Sequence, residues 1–161
     1  MKLLFCIVYC FISFAISDPI PHFSVLPKEI RAEVIGIQDG DTIELKLIFN
    51  GYQAKNRNGK PLRIRLQHVD SQEKGEPFYN KAKQRVSVLC FRKMVTIKHR
   101  RQFDKYGRLI GEVLLEDGQN LNKILVAEGL AKHYKKYSSS FEYALLERKA
   151  RNSKLGIWSL N

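Results

Sequence analysis

The chain has 161 residues, with 28 Lys and Arg against 16 Asp and Glu and a net charge of +12. That length suits one domain with an ordinary hydrophobic core. The positive excess points to a polyanionic partner, nucleic acid ahead of anionic membrane or acidic polysaccharide. The basic residues are spread through strand-like and helix-like segments, which excludes a single basic tail as their source.

The first element is apolar. Lys2 precedes a run from Leu3 to Ile16, the small residues of Ala15-Ile16-Ser17 close it, and Pro19 and Pro21 follow. The run is short for a membrane span and reads as a signal peptide, residues 1–17, removed after about Ser17. The expected location is therefore secreted or periplasmic. The alternative is a membrane anchor through residues 3–16, because the run is rich in bulky side chains. Tyr9 argues against lipid attachment at Cys10. Loss of the leader removes Cys6 and Cys10, so the mature chain holds Cys90 and no internal disulfide. Within Val88-Leu89-Cys90-Phe91 that thiol reads as buried and inert.

Without internal repeats or low-complexity linkers, residues 29–161 read as one domain. Glu33 to Ile37, Thr42 to Phe49 and Leu62 to Val69 alternate apolar and polar residues at the strand period. In the third, Leu62, Ile64, Leu66 and His68 share one face, and Arg63, Arg65, Gln67 and Val69 the other. The polar stretch NGYQAKNRNGK between the second and third reads as a hairpin tip. From Glu76 to Met94 the period changes to that of an amphipathic helix with Pro77 in its first turn. Val95 to Arg100 and Leu109 to Leu115 are two further strands joined by QFDKYGR. Asn120 to Glu128 is a short helix with Gly129 as a left-handed stop. Ser139 and Glu142 form a capping box for a last helix, Phe141 to about Ser153. Five strands with three helices predict a mainly β fold, a five-stranded Greek-key barrel of the OB type, an architecture that often binds oligonucleotides.

Three clusters carry possible chemistry. In QDGDTIEL, Asp39 and Asp41 bracket Gly40 before a strand, which taken alone is a turn that exploits glycine's tolerance of positive φ. In IRLQHVDSQE, Arg65, Asp70 and Glu73 stand where a strand runs out, and alone they read as a salt-bridged rim. Asp41 and Asp70 can meet if their strands pair antiparallel, and two carboxylates, a backbone carbonyl and waters suit Ca²⁺ or Mg²⁺. In DKYGRLIG, the plain reading is a charged hairpin turn. The functional one makes Arg108 a bidentate phosphate ligand, with Lys105 and Tyr106 touching phosphate and base or sugar.

In this order, D-G-D-T-I-x-L, R-L-x-x-V-D-S-x-E and D-K-Y-G-R resemble the staphylococcal-nuclease family. The likeness runs on to EGLAKHY and the closing LGIW. The resemblance implies that Asp41 and Asp70 ligate Ca²⁺ with the Ser71 carbonyl, and that Asp39 supports them. It implies Glu73 as general base through a metal-bound water, and Arg65 and Arg108 as clamps on the scissile phosphate. Lys105 and Tyr106 match substrate contacts, and Tyr134 or Tyr137 matches a further stacking tyrosine. The implied activity is cleavage of DNA and RNA leaving 3′-phosphates, without a protein partner and as a monomer. The chain departs from the family's usual Thr-Pro-Glu at Ser71-Gln72-Glu73, losing proline's rigidity beside Glu73. Its loop from about Asn50 to Pro61 is also longer than usual.

The reading is therefore a secreted, Ca²⁺-dependent endonuclease. Its rival is a catalytically silent OB-fold barrel that only binds nucleic acid, which leaves the clustered carboxylates without a use. A basic membrane-surface protein leaves Asp41, Asp70, Glu73, Arg65 and Arg108 unexplained. The four histidines are scattered singly, and zinc lacks Cys/His pairs.

Overall fold

A computed structural model describes residues 26–49, 52–53 and 60–160. The leader at 1–17 and most of the 50–61 loop lie outside the described residues. Five strands close into a barrel: β1 (Glu29–Ile37), β2 (Thr42–Lys46), β5 (Leu62–Leu66), β7 (Met94–Phe103) and β8 (Leu109–Leu114). The order around the barrel is β1-β2-β5-β8-β7, with β5 and β8 parallel and the other pairs antiparallel. This is the expected OB-type barrel. Two short ribbons complete the β structure among the described residues: β3 (Ile48–Phe49) paired with β4 (Tyr52–Gln53), and β6 (Val69–Ser71) paired with β9 (Ala131–His133). The helices are α1 (Tyr79–Cys90), α2 (Leu121–Ala127) and α3 (Phe141–Asn152), and a 3₁₀ turn covers Gly156–Leu160.

Strand alternation builds the core. Ile30, Ala32 and Val34, Ile43 and Leu45, Leu62, Ile64 and Leu66, Val95 and Ile97, and Leu109 and Val113 all point inward and are buried. Helices close the barrel with Ala82, Val86 and Cys90 of α1 and Leu121, Leu125 and Val126 of α2. The Cys90 thiol donates to the Val86 carbonyl at 3.1 Å, and burial pushes its pKa up to about 12. It is inert, as the sequence suggests.

Several boundaries differ from the sequence reading. The expected strand Leu62–Val69 breaks after Leu66, because His68 takes a left-handed φ of 68° and starts a new direction. The corner inverts the alternation, so Val69 is buried rather than outward. The helix expected from Glu76 starts only at Tyr79. Phe78, at φ 67°, is the residue before its first turn, and Pro77 lies outside the helix. The expected capping box does not form. Ser140 precedes α3 without a side-chain cap, and Glu142 instead pairs with Lys123 at 2.7 Å. Among the described residues no helix is long and apolar enough to cross a membrane.

Candidate active site

The site forms where the β1–β2 turn meets the β5–β6 corner. The Asp41 amide donates to Asp39 Oδ1 at 2.9 Å, and the Gln38 amide to the Thr42 carbonyl at 2.9 Å, which fixes the turn locally. Gly40 does not use positive φ. A Cβ there would lie 2.8 Å from the Cβ atoms of both Ser71 and Ala82, so glycine is required for close approach. The absent side chain lets the turn press against β6 and α1.

Antiparallel pairing of β2 with β5 sets Thr42 opposite Arg65, and the Leu66 amide donates to the Asp41 carbonyl at 2.8 Å. Asp41 therefore reaches β6. Its Oδ2 accepts the Ser71 amide at 3.0 Å and the Ser71 hydroxyl at 3.1 Å, and its Oδ1 accepts the Thr42 hydroxyl at 3.1 Å. Arg65 spans the corner. Its Nη1 donates to the carbonyls of Leu66 at 2.8 Å and Val69 at 2.6 Å. Its Nη2 faces both acids, at 3.2 Å from Asp41 Oδ2 and 3.5 Å from Asp70 Oδ1.

Burial, ahead of any neighbouring charge, governs the acids here. Burial, with the Asp41 charge beside it, raises the Asp39 carboxyl above the ordinary value. Burial raises Asp70 too; the Arg65 charge opposes the rise and the Asp41 charge adds to it. Crowded, partly desolvated hard oxygens are suited to a divalent cation. Among the described residues no three Asp, Glu, His or Cys side chains gather as a ready cage. The hard oxygens that Arg65 draws together are the carboxylates of Asp41 and Asp70.

Arg108 approaches from the β7–β8 turn. Its Nε donates to Asp104 Oδ2 at 2.7 Å and its Nη1 to Thr42 Oγ1 at 3.0 Å. Asp104 Oδ1 also accepts the amides of Tyr106 at 2.9 Å and Arg108 at 3.0 Å. Burial would lift the Asp104 carboxyl, but the bonds from the Arg108 amide and guanidinium outweigh it and hold the pKa below its ordinary value. Asp104 thus shapes the turn and aims Arg108 at once. The Thr42 hydroxyl, accepting from Arg108 and donating to Asp41, joins the two halves of the site.

Aromatic rings flank this line. Tyr106 is exposed at the turn's tip, with Lys105 Nζ 5.0 Å and Arg108 Cζ 5.3 Å from its ring centre. The Tyr134 ring lies 5.6 Å from Arg65 Cζ, and Tyr137 meets it edge-on at 5.0 Å. Where the sequence offers a choice between those two tyrosines, the structure sets them together. Glu73 is different. It is exposed on the loop after β6, its amide donating to the Glu76 carboxylate at 2.7 Å, and its own carboxylate is not among the groups touching Asp41, Asp70 or Arg65.

Three residues escaped the sequence reading. Thr42 sits inside the D-G-D-T motif, but its bridging role depends on a turn remote in sequence. Asp104 is four before Arg108, a spacing that hints at the pair. Lys132 stands directly across from Asp70 in the β6–β9 ribbon, and its charge favours the ionised Asp70. Only the fold of the ribbon reveals that.

The fold and site together are a small OB-type barrel that carries an acid pair and two braced guanidiniums side by side. The family model "Staphylococcal nuclease homologue" matches residues 63–160. The chain is 35% identical over 144 residues to a micrococcal nuclease of Shigella flexneri, covering 81% of this chain and 75% of that one. It is 33% identical over 135 residues to an uncharacterized endonuclease of Escherichia coli O157:H7, covering 84% of this chain and 81% of the relative. The protein belongs to the staphylococcal nuclease family.

Proposed function

We propose that the protein is an exported, Ca²⁺-dependent endonuclease that hydrolyses phosphodiester bonds of DNA and RNA and leaves 3′-phosphates. The observation that carries this reading is the unbroken line of contacts Asp104–Arg108–Thr42–Asp41–Arg65–Asp70, which fixes two guanidiniums around one acid pair. The names of the relatives support a nuclease, and the basic charge of the chain supports a polyanionic substrate.

Asp41 and Asp70, with the Ser71 carbonyl, are the residues to hold Ca²⁺. Bound there, the ion supplies Lewis-acid stabilisation of negative charge on a phosphate oxygen. Arg65 and Arg108 bring positive charge to the other non-bridging oxygens, where negative charge grows as the trigonal-bipyramidal transition state forms. Because both are already braced, little reorganisation is needed at that moment. Glu73 is the general base, taking the proton of the attacking water. Its exposed position on a loop leaves room for substrate to draw it inward, and Gln72 gives that loop more freedom than proline would. Lys105 and Tyr106 on one side and Tyr134 and Tyr137 on the other hold the flanking phosphate and base. Asp39 keeps the Asp41 turn in shape.

Glu73→Gln separates this enzyme from a silent binder. Turnover should fall by about 10²–10⁴-fold, as for removal of a general base. Oligonucleotide affinity should hold, because other Lys and Arg contacts supply most of it. Wild-type turnover in the variant would move the base elsewhere. A parent protein that binds oligonucleotides but cleaves neither plasmid DNA nor RNA with any divalent ion would establish the binder instead. For export, N-terminal sequencing of secreted material should begin near Asp18; an intact Met1 found only in membranes would favour the anchor.

A further inference from the structure

His68 touches both ends of the loop that carries the two tyrosines. Its carbonyl accepts the Tyr134 amide at 2.9 Å, and its ring Nδ1 lies 2.7 Å from Ser138 Oγ. The left-handed backbone at His68 makes this possible by turning its carbonyl and ring towards the same loop. On the far side of Ser138 stands His133, its Nε2 also 2.7 Å from Oγ. The Ser140 amide donates to the same oxygen at 3.3 Å. Ser138 and His133 are both buried.

The protons in this cluster can be placed by counting. A serine hydroxyl donates once and accepts twice. His133 Nδ1 is buried and finds no partner among the described residues. A bare acceptor there is tolerated better than a stranded N–H. The proton of His133 is thus on Nε2, donated to Ser138. With the Ser140 amide as second donor, Oγ has its two acceptor positions filled. The hydroxyl hydrogen is left for His68 Nδ1, and His68 carries its own proton on Nε2. The chain His133 Nε2–H to Ser138 O–H to His68 Nδ1 runs one way and fills every position of Ser138 Oγ, while His133 Nδ1 stays a bare acceptor.

We infer that Ser138 is a positioning residue for substrate: by locking His68 to His133 it holds the Tyr134–Tyr137 pair against the corner that carries Arg65 and Asp70. Two further bonds make the loop between them short and stiff, from the Lys135 amide to the His133 carbonyl at 2.9 Å and from the Tyr137 amide to the Tyr134 carbonyl at 3.1 Å. Tyr143 backs the clamp, its ring 4.7 Å from that of His68 and its hydroxyl donating to Glu112. Freed at the Ser138 end, the loop keeps its start in the β6–β9 ribbon and its Tyr137–Tyr134 backbone bond but loses the tie that holds the pair against the corner. The consequence falls on binding of a base rather than on the acid pair.

The functional half of this inference rests on the nuclease reading above, while the proton arrangement stands apart from it. Nitrogen-15 NMR of imidazole-labelled protein should show both His68 and His133 protonated at Nε2; a proton on Nδ1 of His133 would overturn the assignment. In Ser138→Ala, KM for a single-stranded oligonucleotide should rise about tenfold, within the range of one lost base-stacking contact, with kcat within about twofold. His133→Gln, whose amide NH₂ can replace Nε2–H, should keep the parent's KM. Unchanged KM in Ser138→Ala would overturn the inference, as would loss of kcat in step with loss of folded signal. So would a His133→Gln variant that folds yet shows the raised KM. Should Ser138→Ala not fold, His133→Gln and the NMR spectrum decide. If the parent cleaves nothing, the nuclease reading fails on that result, and oligonucleotide affinity of Ser138→Ala then tests the clamp in place of KM.

Discussion

Asp41 receives both hydrogen-bond donors of Ser71, the amide at 3.0 Å and the hydroxyl at 3.1 Å. Thirty residues apart, the two join the turn of one hairpin to the strand that carries Asp70. Charge-assisted bonds of this kind are stronger than neutral ones, and they set the spacing of the acid pair before any ligand arrives. Thr42 adds a third donor to the same carboxylate. What the bonds leave uncompensated is the excess of negative charge around Asp41.

That excess predicts a gain in stability from removing a carboxylate. Asp39→Asn keeps the oxygen that accepts the Asp41 amide and deletes a charge that burial and Asp41 both disfavour. Without divalent ions its Tm should rise by about 2–4 °C at most, the response of a chain this size to roughly 1 kcal/mol. With Ca²⁺ the advantage should shrink, because the parent then has a cation to compensate the charge. Thermal melts with and without Ca²⁺ check both. A lower Tm without ions would show that the carboxylate is stabilising.

Thr42→Val removes the link between the halves of the site at nearly constant volume. Arg108 Nη1 loses an acceptor in a partly buried setting and Asp41 Oδ1 a donor in a buried one. Turnover should fall about tenfold or more, since a fixed phosphate donor becomes a mobile one. The unsatisfied groups should also cost about 1–3 kcal/mol of stability. Arg108→Lys should lower turnover as well, because an ammonium cannot reproduce the planar fork that bonds Asp104 and Thr42 together. Rates and urea unfolding, measured on each variant, separate the two effects. Parental turnover in Thr42→Val would show that the bridge has no part in catalysis.

Much of this organisation is legible in the chain. Leu62, Ile64 and Leu66 announce a strand and its buried face, whereas the D-G-D, R-x-x-x-x-D and D-K-Y-G-R groups read singly as turns and a rim and are drawn together only by the family resemblance. Antiparallel pairing of β2 and β5, on which the meeting of Asp41 and Asp70 depends, is only a condition in the sequence and is met in the fold. The corner at His68 does not, because a left-handed histidine carries no composition signal as a glycine would. Gly40 is misleading in the opposite sense: it invites a positive-φ turn, whereas its real partners, Ser71 and Ala82, lie far along the chain. Thr42 and Lys132 owe their places to strand register and to a turn remote in sequence. For Ser139 and Glu142, a local capping pattern gave way to a tertiary ion pair with Lys123.

Acid should weaken the fold before it reaches the range of ordinary carboxylates. Burial holds His68 and His133 below the usual imidazole value of 6.5; for each, neighbouring cations push the same way and a carboxylate opposes. Between that value and their folded pKa values, the unfolded chain binds more protons than the folded one. Their contribution is therefore complete above pH 6.5 and declines as pH falls below it. Asp39 and Asp70, raised in the fold, act oppositely: the folded state protonates first, so stability is recovered as pH falls from their folded pKa values towards 3.8. Urea unfolding at pH 7.5 and 5.5 should give the smaller free energy at 5.5, and His133→Gln should reduce the difference. Greater stability of the parent at pH 5.5 would contradict the histidine assignment.

The Ca²⁺ proposed at the Asp41–Asp70 pair should be required for hydrolysis of phosphodiesters. The most direct measurement follows purified mature protein cutting a defined oligonucleotide in Ca²⁺, in chelator, and after Ca²⁺ is restored, with the product ends identified. Cleavage should occur in Ca²⁺, stop in chelator and return on restoration, leaving 3′-phosphate ends. Undiminished cleavage in chelator would contradict the requirement for Ca²⁺.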